Sequence, residues 1–138
     1  MRSRTIVGAL LFVGLLIAGS VVTRGDSIAR ARQWSIVYLA EPTLIGSTIV
    51  KGPVLFVHDA AQMARGEPCT TVRLVEPGVG LGEEITRFHC IPTPRETVNT
   101  FTIRTRPNTD LGYGCVLTEY QFAGDREGHA VPLSMMTQ

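Results

Sequence analysis

An uninterrupted apolar run over residues 6–22 (IVGALLFVGLLIAGSVV) follows a basic start and constrains this 138-residue chain more than any other feature. As a helix, a run of this length rises roughly 26 Å, close to the ~30 Å thickness of the hydrocarbon core of a bilayer. The run therefore predicts an N-terminal transmembrane helix that acts as a signal-anchor over residues 1–23. A basic juxtamembrane linker over residues 24–33 and a single domain over residues 34–138 follow it.

The same apolar run also fits a secretory signal peptide, because both kinds of segment combine a basic start with an apolar core. The small residues Ala18, Gly19 and Ser20 suit signal peptidase, so cleavage before Val21 is the alternative. In both cases we expect the domain outside the cytoplasm. The protein is a single-pass membrane protein with a periplasmic domain if the run is kept, and it is secreted if the run is cleaved.

Charge is divided unevenly along the chain. Residues 1–33 carry five arginines and one aspartate, a net of +4, whereas residues 34–138 carry eight basic and eleven acidic groups, a net of −3. We expect Arg24, Arg30 and Arg32 to lie near anionic lipid headgroups, at about 1 kcal/mol for each basic residue close to the surface. An acidic domain without a basic cluster argues against nucleic-acid binding, which needs several cations to replace the counterions of phosphate.

Prolines cut the domain into short segments enriched in Val, Ile, Thr, Tyr and Phe. This pattern predicts an all-β fold, a small β-sandwich or barrel of about seven short strands. The predicted strands cover residues 35–39, 48–51, 54–58, 70–75, 85–91, 98–105 and 115–122. Residues 59–66 (DAAQMARG) predict one short crossover helix, because Asp59 suits its N-cap and Gly66 its C-terminal stop. The glycines at 78–82 predict a hairpin turn, since a strand-like segment follows them.

Three cysteines, Cys69, Cys90 and Cys115, offer the clearest chemistry in the domain. In an oxidising compartment, an odd count leaves at least one thiol unpaired. Strand alternation puts Cys90 on a buried face and His89 on the opposite, exposed face. We expect a disulfide between Cys69 and Cys90, and the alternative is three buried free thiols.

A metal or redox site is a further hypothesis. It would draw on the three histidines His58, His89 and His129, the three cysteines, and Met63, Met135 or Met136, with His58, Cys69, His89 and Cys115 as its candidate ligands. Zinc modules use close pairs of Cys or His, c-type haem attachment needs Cys-x-x-Cys-His, and blue copper needs a compact loop after its Cys. The chain has none of these spacings. His89 and Cys90 also face opposite sides of a predicted strand, so they do not share an ion. The sequence therefore favours neither a metal nor a cofactor.

Motifs for catalysis are missing from the domain sequence, which has no Gly-x-Ser-x-Gly elbow, and we predict that the protein is not an enzyme. The adjacent carboxylates lie in Gly-containing polar segments that are typical of solvated turns. Apolar residues near the C-terminus are the predicted docking surface for a partner: Tyr113, Val131, Leu133, Met135 and Met136. The alternative for this tail is a last strand that completes the domain's own sheet.

Location, size and missing catalytic motifs favour a membrane-anchored accessory subunit. Its extracytoplasmic β-domain would pack on a larger membrane protein complex, such as an energy-transducing complex of respiration or photosynthesis. The expected partners are membrane lipid and the other subunits of that complex. Two other functions stay open: a free exported ligand-binding or adhesive β-domain, and a periplasmic domain that binds a metal or carries electrons.

Overall fold

The computed structural model describes residues 32–132, and this part of the chain is predominantly β. Within it the chain forms eight strands and one helix of five residues. The elements are β1 (Arg32–Ile45), β2 (Thr48–Asp59), α1 (Ala60–Ala64), β3 (Thr70–Glu76), β4 (Gly80–Phe88), β5 (Ile91–Pro94), β6 (Thr102–Pro107), β7 (Cys115–Gln121) and β8 (Glu127–Ala130). The prediction of an all-β domain is confirmed.

The eight described strands form one sheet in the order β4-β3-β2-β1-β7-β8-β5, and β6 pairs with β7 off this path. The paired strands run antiparallel except β1 and β7, which are parallel. This parallel contact is short, because it joins only Thr43 and Leu44 to Cys115 and Val116. It divides the sheet into a first half, β1 to β4, and a second half, β5 to β8.

The sheet bends so that its two halves pack against each other. The pairing of β1 with β2 shifts register between Leu39 and Thr43, and Gly52, the partner of Leu39, has a φ of 95°. Such irregularities bend a strand. On a flat sheet, Phe56 of β2 and Tyr120 of β7 would lie far apart, because β1 and β7 meet only near Thr43. Their ring centroids instead lie 5.2 Å apart, so the two halves enclose a common core.

The core between the two halves is apolar and rich in aromatic rings. Phe56, Phe101, Tyr120 and Phe122 pack with ring centroids 5.1 to 6.0 Å apart. Tilted contacts of this kind add to the free energy gained by burial. Alternation along β2 turns both Phe56 and His58 inward. A histidine therefore enters a predominantly apolar core.

The helix α1 connects β2 to β3 at one end of the sheet. Asp59 caps the helix, because its Oδ1 accepts hydrogen bonds from the backbone N–H of Ala61 at 2.9 Å and of Gln62 at 3.1 Å. Gly66 ends the segment with a φ of 72°, a left-handed conformation that favours glycine. The prediction of a crossover is wrong, since β2 and β3 are antiparallel neighbours and α1 lies within a hairpin connection.

Strand boundaries differ from the prediction in two further ways. The predicted strands over 48–51 and 54–58 are the single strand β2, because Gly52 and Pro53 lie opposite the irregular part of β1 and do not interrupt it. The prediction also lacks β5 and β8. β5 contains two prolines, which lack a backbone N–H. It lies at an edge of the sheet, where a missing N–H is tolerated.

Part of the prediction falls on residues that the structure does not describe. These are the transmembrane helix over 1–23, Arg24, Arg30, Leu133, Met135 and Met136. The third predicted membrane-surface arginine, Arg32, begins β1 and is exposed. Between residues 32 and 132, no helix has the length and apolarity that crossing a bilayer requires.

Candidate metal centre

Two histidines and two cysteines lie together in the core where the two halves of the sheet meet. His58 is on β2, Cys69 immediately precedes β3, Cys90 lies between β4 and β5, and His129 is on β8. All four are buried, with 1% to 7% of each residue exposed. These four residues, from four separate segments of the chain, are called the His–Cys cluster below.

Strand pairing accounts for the position of the His–Cys cluster. In the first half of the sheet, His58 pairs with Thr70, and Thr70 pairs with Phe88. In the second half, Tyr120 pairs with His129. A hydrogen bond between the hydroxyls of Thr70 and Tyr120 joins these two rows of residues. Cys69 directly precedes Thr70, the middle residue of the first row, and Cys90 follows Phe88 by two residues, so the bend of the sheet brings all four cluster residues together.

The potential donor atoms of the cluster are close to one another. Cys69 Sγ lies 2.8 Å from Cys90 Sγ, and Cys90 Sγ lies 3.5 Å from His129 Nδ1. The donor atoms of His58, Cys69 and Cys90 all lie within 4.8 Å of one another. The rings of His58 and His129 have centroids 4.3 Å apart. Three donors therefore lie close enough together to share an ion, and His129 lies beside them, outside this 4.8 Å group.

The imidazole nitrogens of the cluster are short of hydrogen-bond partners. Both ring nitrogens of His58 and Nε2 of His129 are buried, and none of them has a partner among the described residues. Leaving a buried polar atom unsatisfied costs about 1–3 kcal/mol, and most buried polar groups in proteins are hydrogen-bonded. Three orphaned nitrogens at one place indicate a group that accepts imidazole lone pairs.

Burial favours the neutral forms of His58, Cys90 and His129. Desolvation lowers the pKa of His58, against the attraction of Asp59 and Asp125. Desolvation also lowers the pKa of His129 to about 4, and the neighbouring His58 contributes to this shift. For the thiol of Cys90, desolvation and then the contact with Cys69 raise the pKa to about 12. The imidazoles are thus in the neutral form that binds metals. A thiol, in contrast, must lose its proton when it binds a metal.

One sulfur of the cluster already has a polar contact that suits a thiolate. The backbone N–H of Cys90 donates a hydrogen bond to Cys69 Sγ at 3.2 Å. Hydrogen bonds to a ligand atom orient it and tune its basicity in metal sites. The ring of Tyr120 stacks on His129, with centroids 4.9 Å apart, and restricts the orientation of that imidazole.

The donor set fits a tetrahedral zinc or copper(I) site. With metal–sulfur bonds of about 2.3 Å and metal–nitrogen bonds of about 2.0–2.1 Å, a tetrahedron separates sulfur from nitrogen by about 3.6 Å and sulfur from sulfur by about 3.8 Å. The 3.5 Å between Cys90 Sγ and His129 Nδ1 agrees with the first value. The 2.8 Å between Cys69 and Cys90 is shorter, so binding an ion would move these sulfurs about 1 Å apart.

A polar surface cavity of about 220 Å³ reaches the cluster at Cys69. Its lining includes Arg32 of β1, Arg73 and Glu84 of the β3–β4 pair, and Asp59 before α1. Cys69 thus borders a polar surface cavity, although only 2% of the residue is exposed.

The predicted ligands separate into two groups. His58 and Cys69 belong to the cluster, whereas His89 is exposed and Cys115 lies at the start of β7 beside β1. The predicted burial of Cys90 next to the exposed His89 is observed, although both residues follow the end of β4 and lie outside a strand. Cys69 and Cys90 are adjacent, but both are free thiols in the structure, so their disulfide stays a prediction.

The sequence names His129 among the possible ligands but does not place it among the four candidate ligands. His129 follows Asp125 and Glu127 in a polar segment with glycines, which is typical of a solvated turn. The pairing of β8 with β7 and β5 buries this residue, and no local pattern contains that information.

The predicted docking residues within the described range differ in exposure. Tyr113 is 57% exposed and is accessible to a partner. Val131 is 4% exposed and belongs to the core, and its backbone N–H donates to the carbonyl of Thr118 at 2.9 Å. Its side chain is therefore unavailable for docking, and residues 133–136 of the predicted tail lie outside the described residues.

Comparison with known proteins finds no match for this chain. No protein-family model, no curated protein and no solved structure matches the chain. Inference about function therefore rests on the sequence and on the His–Cys cluster.

Proposed function

We propose that this protein is an extracytoplasmic, membrane-anchored β-domain that binds one thiophilic metal ion, Zn²⁺ or Cu⁺, in the His–Cys cluster. The observation that carries the proposal is a buried set of four donors in which three imidazole nitrogens have no other partner. The anchor is the sequence-based part of the proposal, since residues 6–22 form the apolar run.

Energetics argue against a purely structural role for these four side chains. Three unsatisfied nitrogens at about 1–3 kcal/mol each would take a large part of a typical domain stability of roughly 5–15 kcal/mol. Leucine or phenylalanine would fill the same space without that cost. A bound cation relieves this penalty at one nitrogen of each imidazole that it binds, because each neutral ring offers one lone pair.

The donor types select the class of ion. Calcium and magnesium prefer oxygen ligands, whereas two sulfurs with two imidazoles suit zinc or copper(I). Four protein ligands also leave no open position for water or a substrate. We therefore propose binding or transfer of the ion rather than catalysis, in agreement with the absence of catalytic motifs in the sequence.

Metal analysis of the full chain, purified in mild detergent under reducing conditions, tests the proposal. We expect one equivalent of zinc or copper per chain by inductively coupled plasma mass spectrometry. The variants His129→Ala and Cys90→Ser should lose the ion. The matched controls His89→Ala and Cys115→Ser replace the same residue types outside the cluster and should keep it. Circular dichroism of each variant checks that the fold is intact.

Two results would contradict the metal proposal. One is a folded, reduced chain that contains neither ion and takes up neither from a buffered solution. The other is an ion that His89→Ala or Cys115→Ser removes while the cluster variants retain it.

An exposed apolar surface favours the accessory subunit as a second candidate function. Trp34, Ile36 and Tyr38 alternate along one face of β1 and are 67%, 51% and 69% exposed. Trp34 and Ile36 line a mostly apolar groove with Leu81 of β4. Contiguous exposed apolar surface marks interaction sites, and aromatic residues are enriched in them.

Extraction from native membranes in mild detergent, followed by native mass spectrometry, tests this second candidate. We expect the chain within a larger assembly, and we expect Ile36→Asp to release it as a monomer. Ile91→Asp is the matched control, because Ile91 is 54% exposed on β5. A wild-type chain that is recovered only as a monomer would refute the subunit function.

A further inference from the structure

The two sulfurs of the His–Cys cluster serve two mutually exclusive states, and we propose that thiol–disulfide exchange controls release of the metal ion. In the reduced state, Cys69 and Cys90 bind the ion together with the two histidines. In the oxidised state, the same sulfurs form a disulfide and the ion leaves. The inference rests on the proposed metal function and adds its regulation.

Geometry supports both states without rearrangement of the sheet. The free sulfurs of Cys69 and Cys90 are in contact at 2.8 Å, and they come from segments that flank neighbouring strands, β3 and β4. A shared ion would place the sulfurs about 3.8 Å apart, whereas a disulfide bond is about 2.05 Å long. Both are reached by shifts of about 1 Å or less from the contact, which lies within the range of side-chain torsions.

The two states exclude each other because a metal ion needs thiolates. A thiolate gives the ion an electron pair, and that pair is consumed when the sulfur bonds to a second sulfur. Loss of both sulfur ligands leaves only His58 and His129, which is half of the donor set. The remaining imidazoles do not hold the ion against water.

The exchange balances with a disulfide as the oxidant, for example glutathione disulfide or a thiol–disulfide oxidoreductase. One of the two thiolates attacks the oxidant, forms a mixed disulfide and releases one thiolate of the oxidant. The other thiolate then attacks the protein sulfur of the mixed disulfide, closes the Cys69–Cys90 bond and releases the second thiolate. The protein loses two electrons, the oxidant takes them up with two protons from water as two thiols, and the ion returns to water.

Both sulfurs are buried, since 2% of Cys69 and 7% of Cys90 is exposed. Cys69 lines the polar surface cavity, and Cys90 contacts His129. Either sulfur can therefore take the first step of the exchange. Cys115 lies outside the cluster, beside Thr43, and is not needed for the reaction.

A Cys115→Ser chain, loaded with the cation that the reduced protein binds, tests the inference without interference from a third thiol. Glutathione disulfide is added, and the released ion is followed with a chromogenic chelator. Free thiols are counted in parallel by alkylation and intact mass. We expect one ion to be released for each pair of thiols lost, and we expect dithiothreitol to restore full binding.

The same experiment separates this inference from the metal function. If the reduced chain binds the ion and keeps it after the Cys69–Cys90 disulfide has formed, the inference is wrong and the metal function stands. The inference is also overturned if the reduced chain binds the ion but Cys69 and Cys90 resist oxidation under conditions that oxidise the same thiols in a denatured sample. If the reduced chain binds no ion, the metal function itself fails.

Discussion

Replacing Glu119 with glutamine should destabilise the domain at neutral pH, because two arginines hold a buried carboxylate at this position. Glu119 Oε1 accepts hydrogen bonds from Arg95 Nε at 2.8 Å and from Arg104 Nη1 at 2.9 Å, and Oε2 accepts one from Arg95 Nη2 at 2.6 Å. The side chain of Glu119 is 6% exposed, whereas those of Arg95 and Arg104 are 40% and 37% exposed. The acid is thus buried, while its partners reach solvent.

The size of the effect follows from these three contacts. Each hydrogen bond loses roughly 1 kcal/mol when a charged acceptor becomes a neutral amide. Partly solvated arginines regain hydration when the charge is removed, which reduces the total. We therefore expect Glu119→Gln to cost about 2 kcal/mol, which lowers the Tm of a domain of this size by roughly 10 °C.

The effect should depend on pH in a defined direction. The hydrogen bond from Arg95 lowers the pKa of Glu119, against desolvation, and the charges of Arg95 and Arg104 lower it further. A carboxyl with a lowered folded-state pKa contributes stability that is present above its unfolded pKa, near ~4.3, and lost as the pH falls through the folded value. The Tm difference between wild type and Glu119→Gln should hold from neutral pH to about pH 5 and shrink below it.

Thermal unfolding of the reduced full chain in mild detergent, followed by far-ultraviolet circular dichroism, measures this difference. Fluorescence of Trp34 is a poor probe, because this residue is exposed in the folded state. Glu67→Gln is the matched control, since Glu67 pairs with Arg65 on the surface and should show no measurable change. Equal shifts for the two variants, or a deficit of Glu119→Gln that persists to about pH 2, would refute the reasoning.

Three further substitutions test other parts of the fold. Gly128→Ala should destabilise β8 and weaken zinc binding, because an added Cβ would lie 2.2 Å from Glu119 Oε1, and an unchanged zinc titration would contradict this. Asp59→Ala removes the cap of α1 and should cost about 1 kcal/mol in thermal unfolding, whereas Asp59→Asn should recover most of it. Tyr120→Phe should cost about 1–2 kcal/mol by the same assay, because it leaves the buried hydroxyl of Thr70 without its partner, and an unchanged Tm would show that this bond contributes nothing.

Local patterns account for the parts of the fold that the sequence predicts. Cys90 is buried and His89 is exposed, as the sequence predicts. Asp59 and Gly66 mark the two ends of the helical segment. Each of these features depends on residues within one strand or turn, where side-chain period and backbone conformation act directly.

Long-range pairing accounts for what the sequence does not predict. The register shift between Leu39 and Thr43 and the short contact of β1 with β7 bend the sheet, and only this bend brings His58 near His129. Ligand spacing along the chain is therefore a poor guide here. Zinc modules are recognised by close pairs of ligands, whereas this cluster takes one ligand from each of four segments.

The distribution of these ligands suggests why an ion would matter to so small a domain. β8 has four residues, and its partner β5 also has four and lies at the edge of the sheet. Short edge strands contribute little stability by themselves. An ion shared by His129 of β8 with His58, Cys69 and Cys90 would tie this weak edge to the first half of the sheet. Oxidation of the two cysteines would keep the first half cross-linked near Cys69 and release only the β8 side. Loss of the ion would therefore loosen one edge of the domain without unfolding the rest.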